Sequence, residues 1–263
     1  MPVHPGGAPF DSNADGRSDA VPDALNQVTA AIEQGLEALQ ANDREGCIAG
    51  LQQALDGLGA VPDPRARRDQ YARLASMFVR LNAADRGLQA AQEAVELDRA
   101  LGDRNLEGQD ILLCGTAIAA LGNLPGAIAA YRQAREMFIE DENWANAASA
   151  TTNIAIMVGQ DDLDEGIGLL EESLTYLERQ AFPDTEITTR IALIQALVAA
   201  NKPTERVFDV ADKLFGNFLG QLRPDQRENS VGPLEQALDR HMLQHPELDP
   251  AVFRAQKFPM LYG

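Results

Sequence analysis

Aromatic residues are scarce in this sequence. Phe, Trp and Tyr together account for 5% of its 263 residues, whereas hydrophobic residues account for 45%. A hydrophobic core must therefore be built mainly from Ala, Leu, Ile and Val. Small and aliphatic side chains of this kind favour closely packed helices over a sheet-based fold.

Cysteine and long apolar runs are scarce as well. The two cysteines, Cys47 and Cys114, each lie within an apolar helical pattern. Two such cysteines argue against a disulfide framework and are typical of a reducing compartment. The first residues lack the charged and then apolar segment of a secretory signal, and no apolar run approaches the roughly 20 residues that span a bilayer. We therefore expect a cytoplasmic protein without membrane insertion.

Basic residues are outnumbered, because 22 Lys and Arg stand against 40 Asp and Glu, for a formal net charge of -18. A general nucleic-acid binder needs a basic surface, so no nucleic-acid partner is expected. The charge is unevenly spread: residues 65–86 hold six arginines and two aspartates, whereas residues 136–178 hold eleven acids and no Lys or Arg. This uneven charge is typical of an ordinary solvated surface, and self-association between oppositely charged regions is an alternative.

Residues for catalysis or cofactor binding are few. The three histidines are His4, His241 and His245, and none accompanies Ser or Cys in a pattern typical of nucleophilic catalysis. His241 and His245 could share a helix face, but without further ligands they are more typical of surface histidines than of a metal site. No Gly-rich phosphate loop is present. We expect a protein that is not an enzyme and has no cofactor.

Residues 1–22 are rich in Gly, Pro, Asp and Ser, show no periodicity, and are predicted to form a disordered acidic tail. Oxygen-bearing side chains alternate within it as in a calcium-binding loop, at Asp11, Asn13, Asp15 and Asp19. Pro22 stands where an EF-hand has its bidentate Glu, and the motif occurs once. A solvated tail is the simpler interpretation, and a calcium loop remains an alternative.

A repeat of about 40 residues organises most of the chain. Ala54, Ala94 and Ala134 are each 40 residues apart, and Ser173 and Lys213 continue the series. Small residues recur in the same register, at Cys47, Gly87, Ala127 and Gly166 and at Gly35, Ala75 and Gly115. Turn residues separate the helical patterns, so residues 23–220 are predicted to form about five helix-turn-helix units.

The best-formed units resemble the tetratricopeptide repeat (TPR) family in its longer, kinesin-light-chain-like form. The second unit supplies Tyr71, Leu74, Ala75, Phe78, Gly87, Ala91 and Ala94, and the third supplies Ile111, Cys114, Gly115, Ile118, Gly122, Leu124, Ala127, Tyr131 and Ala134. The resemblance implies an all-α fold, an α-solenoid coiled into a right-handed superhelix. The fifth unit has lost its small residues at Arg206 and Lys213, which is typical of a pair that caps an array.

Residues 221–263 are predicted to form a C-terminal capping helix and an apolar tail. The helical pattern runs from Val231 to Leu243 and stops before Pro246. The tail, residues 251–263, could pack back onto the array, dock to a partner or stay disordered.

The resemblance also implies a function, since first helices of TPR units line a groove that binds a peptide or protein segment. The groove positions would be Arg73, Ser76, Arg80, Gln109, Leu112, Leu113, Thr116 and Thr152. Their apolar middle and terminal arginines suit a segment with an acidic group near one end. We expect an adaptor, scaffold or assembly chaperone. Alternatives are a peptide-responsive regulatory protein and a calcium-dependent binding protein.

The calcium alternative is directly testable. If Asp11, Asn13, Asp15 and Asp19 form a solvated tail, calorimetric titration with calcium should give no binding heat and no shift in melting temperature. Substituting Asp11 and Asp15 by Asn provides the control for any heat that is observed. Saturable heat that this double variant lacks would favour the calcium loop.

Overall fold

The computed structural model describes residues 20–262, with side chains from residue 24 onward. All secondary structure in this range is helical, which confirms the all-α prediction. The α-helices are α1 Ala20–Gln40, α2 Arg44–Gly57, α3 Pro64–Arg80, α4 Ala84–Leu101, α5 Arg104–Ala120, α6 Leu124–Glu140, α7 Trp144–Val158, α8 Leu163–Arg179, α9 Pro183–Ala199, α10 Thr204–Phe218, α11 Pro224–Gln244, α12 Pro250–Lys257 and α13 Pro259–Tyr262. The candidate calcium loop lies outside the described residues.

Local turn chemistry sets many of these boundaries. Asn42, Asn82 and Asn201 adopt a left-handed backbone at the ends of α1, α3 and α9, where Asn tolerates positive φ. Side chains at the next helix start accept backbone N–H groups, as the Asp43 carboxylate does from the N–H of Gly46 at 2.8 Å. Residues of these types are turn and cap formers, so they separate consecutive helices.

The chain divides into two compact units, unit 1 at residues 1–102 and unit 2 at residues 103–263. In unit 1, α1 packs on α2 and α3 on α4. In unit 2, α5 packs on α6, α7 on α8 and α9 on α10, with α11 against α9 and α10. The predicted division into an array at 23–220 and a cap at 221–263 stays a prediction.

Small residues bring the paired helices into backbone contact. A Cβ atom added at Gly50 of α2 would lie 2.9 Å from the Cα of Gly35 in α1. One added at Gly166 of α8 would lie 2.8 Å from the Cα of Gly159, just after α7. Gly35 and Gly166, two small residues of the repeat, therefore lie where paired helices come into backbone contact.

The C-terminal segment packs back onto unit 2. The Phe258 side chain is completely buried in a cluster with Phe208 and Leu238. The Arg254 guanidinium contacts the Glu235 carboxylate at 3.1 Å, and the Tyr262 hydroxyl donates to the same carboxylate at 2.5 Å. Of the three alternatives for the apolar tail, the structure has the packed one.

Helix α11 begins at Pro224, seven residues before the predicted start, and contains Pro233. Proline has no N–H to donate to the carbonyl four residues earlier, that of Asn229. The Gln195 side chain of α9 supplies the missing donor, with Nε2 3.1 Å from the Asn229 carbonyl oxygen. This contact satisfies the carbonyl group that Pro233 leaves without its usual donor.

Two neighbouring glycines of α8 should respond oppositely to alanine. Gly166→Ala should lower the free energy of unfolding by about 1–3 kcal/mol, because the new methyl group overlaps backbone atoms. Gly168→Ala should raise it by about 0.5–1 kcal/mol, because no neighbouring atom lies within 4 Å and helix propensity improves.

Urea denaturation followed by the fluorescence of Trp144, the single tryptophan and part of the same unit, measures both changes. Equal effects of the two substitutions would contradict the close crossing at Gly166.

Candidate groove of unit 2

Helices α7, α9 and α11 form one layer of unit 2, since α9 contacts both α7 and α11. Two open cavities of about 220 and 230 Å³ lie beside α9, and the first is also lined by Leu163, Gly166 and Leu170 of α8. Both are lined by Ile156, Ala192 and Gln195, so they adjoin along α9 as two halves of one depression. We call this depression the unit-2 groove.

One end of the groove is apolar because small residues leave space there. It is lined by Ala155 and Gly159 from the end of α7 and by Ala196 and Ala199 from α9. Ile156 is 38% exposed, which is unusual among the large hydrophobic side chains of the described residues. This end can accept an apolar side chain from another molecule.

The other end of the groove is polar and lies between α9 and α11. Its lining includes Thr188, Arg223, Asp225 and Asn229. The Arg223 and Asp225 side chains form an ion pair at 3.4 Å, so the two charges offset each other locally. The polar end therefore presents hydrogen-bonding groups with little net charge.

Gln195 joins the two ends. Its Nε2 is held by the Asn229 carbonyl oxygen, which orients the side-chain amide across the groove. Its Oε1 remains able to accept a hydrogen bond from another molecule. The fixed amide therefore offers a preoriented acceptor at the centre of the groove.

Comparisons with known proteins rest on structure alone. No protein-family model matches the chain, and no curated protein matches its sequence. Aspartyl phosphate phosphatase F from Bacillus subtilis superposes with a TM-score of 0.67 at 13% identity, covering 93% of this chain and 69% of that one. The Rap conjugation gene regulator of the plasmid pLS20, solved with the Phr* peptide, gives 0.59 at 13% identity, covering 95% and 69%.

A third similar structure carries TPR-like repeats by its own description. It is a candidate kinesin light chain from Podosopora anserina, with a TM-score of 0.53 at 11% identity, covering 75% of this chain and 99% of that one. The chain has a TPR-like fold. At these identities the likeness concerns the fold, and it confirms the α-solenoid of TPR-like helix pairs predicted from the repeat.

The predicted TPR groove residues lie in both units. In unit 1, Arg73, Ser76 and Arg80 are exposed on α3. In unit 2, Gln109, Leu112, Leu113 and Thr116 are half-buried on α5. Leu112 packs against the cluster around Tyr131, and the Thr116 hydroxyl is 3.3 Å from the Tyr131 hydroxyl. None of these residues lines the two cavities of the unit-2 groove.

The assignment of Thr152 to the groove surface is wrong. Its side chain is only 2% exposed because α7 packs against α6, α8 and α9. The Thr152 hydroxyl lies 2.8 Å from both the Ser173 and the Thr189 hydroxyls. Thr152 therefore belongs to a buried hydroxyl cluster between helices.

Sequence reasoning missed Ile156 and Gln195, although the TPR-like repeat contains the signal. Ser76 and Thr116 are 40 residues apart, Ile156 follows after another 40, and Gln195 after 39. Continuing the register of the predicted positions would have reached both residues. Their partner Asn229 could not be found this way, since its role depends on Pro233.

The other residues considered for catalysis or metal binding are histidines and cysteines. His241 is only 8% exposed, contrary to the expected surface position, and burial together with the neighbouring His245 lowers its pKa. Burial raises the pKa of the Cys47 thiol. Across residues 24–262, no group of three His, Cys, Asp or Glu side chains could hold a metal ion. None of the described helices is long and apolar enough to cross a membrane.

Removing the Thr152 hydroxyl should cost stability. The Ser173 hydroxyl donates to the Ala148 carbonyl oxygen, and the Thr189 hydroxyl donates to that of Thr185. Together with three contacts among the hydroxyls themselves, this makes five contacts for three hydroxyl protons. Thr152→Val should therefore lower the free energy of unfolding by about 1 kcal/mol, the net value of one hydrogen bond. Urea denaturation checks this, and the exposed Thr188→Val serves as control. No loss beyond the control would contradict the cluster.

Proposed function

We propose that the chain is a non-enzymatic protein-interaction module whose unit-2 groove binds a peptide or a short protein segment. The observation that carries the proposal is that the two cavities of the groove adjoin along α9. Ile156, Ala192 and Gln195 line both halves of the groove. A surface that is apolar at one end and hydrogen-bonding at the other suits a peptide.

The polar groups of the groove match a peptide backbone. Each residue of an extended peptide presents an N–H donor and a C=O acceptor. The Gln195 amide can accept such an N–H, and the exposed Asn229 amide can both donate and accept. Because Gln195 is already held, little side-chain entropy is lost when a peptide binds.

The charge of the groove favours a weakly charged segment. Arg223 and Asp225 pair with each other, and the rest of the central lining is uncharged. An apolar side chain of the peptide would enter the end lined by Ala155 and Ala196. Affinity would then come from apolar burial, and orientation from the amides.

Similar structures support a peptide ligand. The Rap conjugation gene regulator was solved in complex with the Phr* peptide and shares the fold of this chain. An adaptor, scaffold or assembly chaperone located in the cytoplasm, without nucleic-acid partners, is the finer form of the proposal. The alternative is a peptide-responsive regulator, which would change its small-angle scattering profile on binding, whereas an adaptor would keep it.

The groove assignment is tested with peptides selected from a displayed random library on the full chain. Selected peptides should bind the wild type in fluorescence anisotropy, and Ala192→Glu should weaken them at least about ten-fold because its side chain occupies the groove. Ile156→Asp should have a similar effect, since it places a charge at the apolar end.

The matched control is Ala129→Glu, which makes the same change at an exposed position of α6 outside the groove. This control should bind the selected peptides as the wild type does. Peptides that bind Ala192→Glu and Ile156→Asp with unchanged affinity would place the binding surface elsewhere.

A further inference from the structure

Three arginines form a row along α3 in unit 1. Arg65, Arg73 and Arg80 are all exposed, and successive members are eight and seven residues apart. With 3.6 residues per turn they fall within an arc of about 80°, separated by about 12 and about 10.5 Å along the helix axis. Ser76 lies between the last two on the same face. We call these three residues the arginine row.

The arginine row has no ion pair with any described residue, in a chain with 40 acids. The nearby Arg68 behaves differently, because its side chain is buried and its Nε lies 2.8 Å from the Asp98 carboxylate. Most basic side chains of unit 2 are also paired with acids, as Arg206 is with Glu171. Unpaired basic side chains also occur elsewhere, as at Arg67, Arg132 and Lys213, so what distinguishes the row is that three of them lie on one face of one helix.

Unpaired guanidinium groups on an acidic protein select a particular partner. Guanidinium groups bind carboxylates through two parallel hydrogen bonds. An acidic partner is repelled by most of the surface, since the net charge is -18. The row is then a place where three aligned charges attract such a partner, and repulsion by the acidic surface restricts how the partner can bind.

The spacing of the row discriminates among acidic partners. Carboxylates seven residues apart on a helix lie about 10.5 Å apart on one face, close to both intervals of the row. An extended strand places carboxylates of one face about 6.6 or about 13 Å apart, which is close to the interval of about 12 Å but not to the interval of about 10.5 Å. DNA carries one charge per about 3.4 Å along each strand, so most phosphates would find no partner.

We propose that the arginine row binds an acidic helical segment of a partner protein, with carboxylates about seven residues apart. This proposal rests on the proposed protein-interaction function. The arginine row lies in unit 1 and binds through charge pairing, whereas the unit-2 groove binds through apolar burial. The row also supplies a role for Arg73 and Arg80, which the sequence places at groove positions.

The test uses three labelled alanine-based helical peptides. One carries glutamates seven residues apart, one carries the same glutamates five residues apart on diverging faces, and one carries glutamine in their place. In fluorescence anisotropy at low salt, the full chain should bind the first peptide best, and added salt should weaken the complex. Arg73→Glu with Arg80→Glu should reduce affinity at least about ten-fold, whereas lysine at both positions should reduce it less, because lysine keeps the charge but cannot form the two parallel hydrogen bonds.

The matched control is Arg132→Glu with Lys213→Glu, which makes the same charge change at two exposed positions of unit 2. It should bind the first peptide as the wild type does. Equal binding of the first two peptides, or unchanged binding by the row variant, would overturn the proposal. Tighter binding of a single-stranded oligonucleotide would also overturn it.

Two further measurements distinguish a foreign partner from a second copy of this chain, and the row from the unit-2 groove. Salt-sensitive self-association in sedimentation velocity, lost in the row variant, would assign the row to a second copy and overturn a foreign partner. Peptides selected for the unit-2 groove should bind the row variant normally. Failure of the groove test would then leave the test of the row intact.

Discussion

In two helix pairs of this protein, facing small residues bring backbone atoms into contact. At Gly35 and Gly50, and again at Gly159 and Gly166, a single added methyl group would overlap the partner backbone. Such crossings let a chain with few aromatic residues bury enough apolar surface, because Ala and Leu side chains then fill the remaining space. The repeat of small residues is therefore a packing requirement of these helix pairs.

The same small residues leave room for the unit-2 groove. Ala155 and Gly159 keep α7 close to α8, and they also line the apolar end of the depression. No large side chain fills the space above them. The same small residues therefore let α7 and α8 pack closely and leave this end of the groove accessible to another molecule. Pro233 adds the polar component, since the carbonyl it leaves free at Asn229 fixes the Gln195 amide.

The two proposed surfaces would bind their partners through different interactions. The groove has an uncharged centre and relies on burial and backbone hydrogen bonds, whereas the arginine row relies on exposed charge and spacing. A protein with net charge -18 gains specificity from such a division, because apolar burial tolerates many sequences and charge spacing does not. Each surface lies within one compact unit and can be altered without touching the other.

The sequence by itself determined the helix pairs and their order, because these depend on local rules. Asn42, for example, ends α1 through its own backbone conformation, whatever the neighbouring helices do.

Only the tertiary structure decided which surfaces stay open. The sequence shows that Phe258 is apolar but not whether it is buried. Its side chain is buried beside Phe208, in a space that forms only when α10 and α11 pack together. Thr152 and Ile156 are one turn apart on α7, yet the first is buried and the second exposed. The physical reason is that exposure depends on neighbouring helices, and a spacing of 40 residues does not state how closely α8 and α9 approach α7.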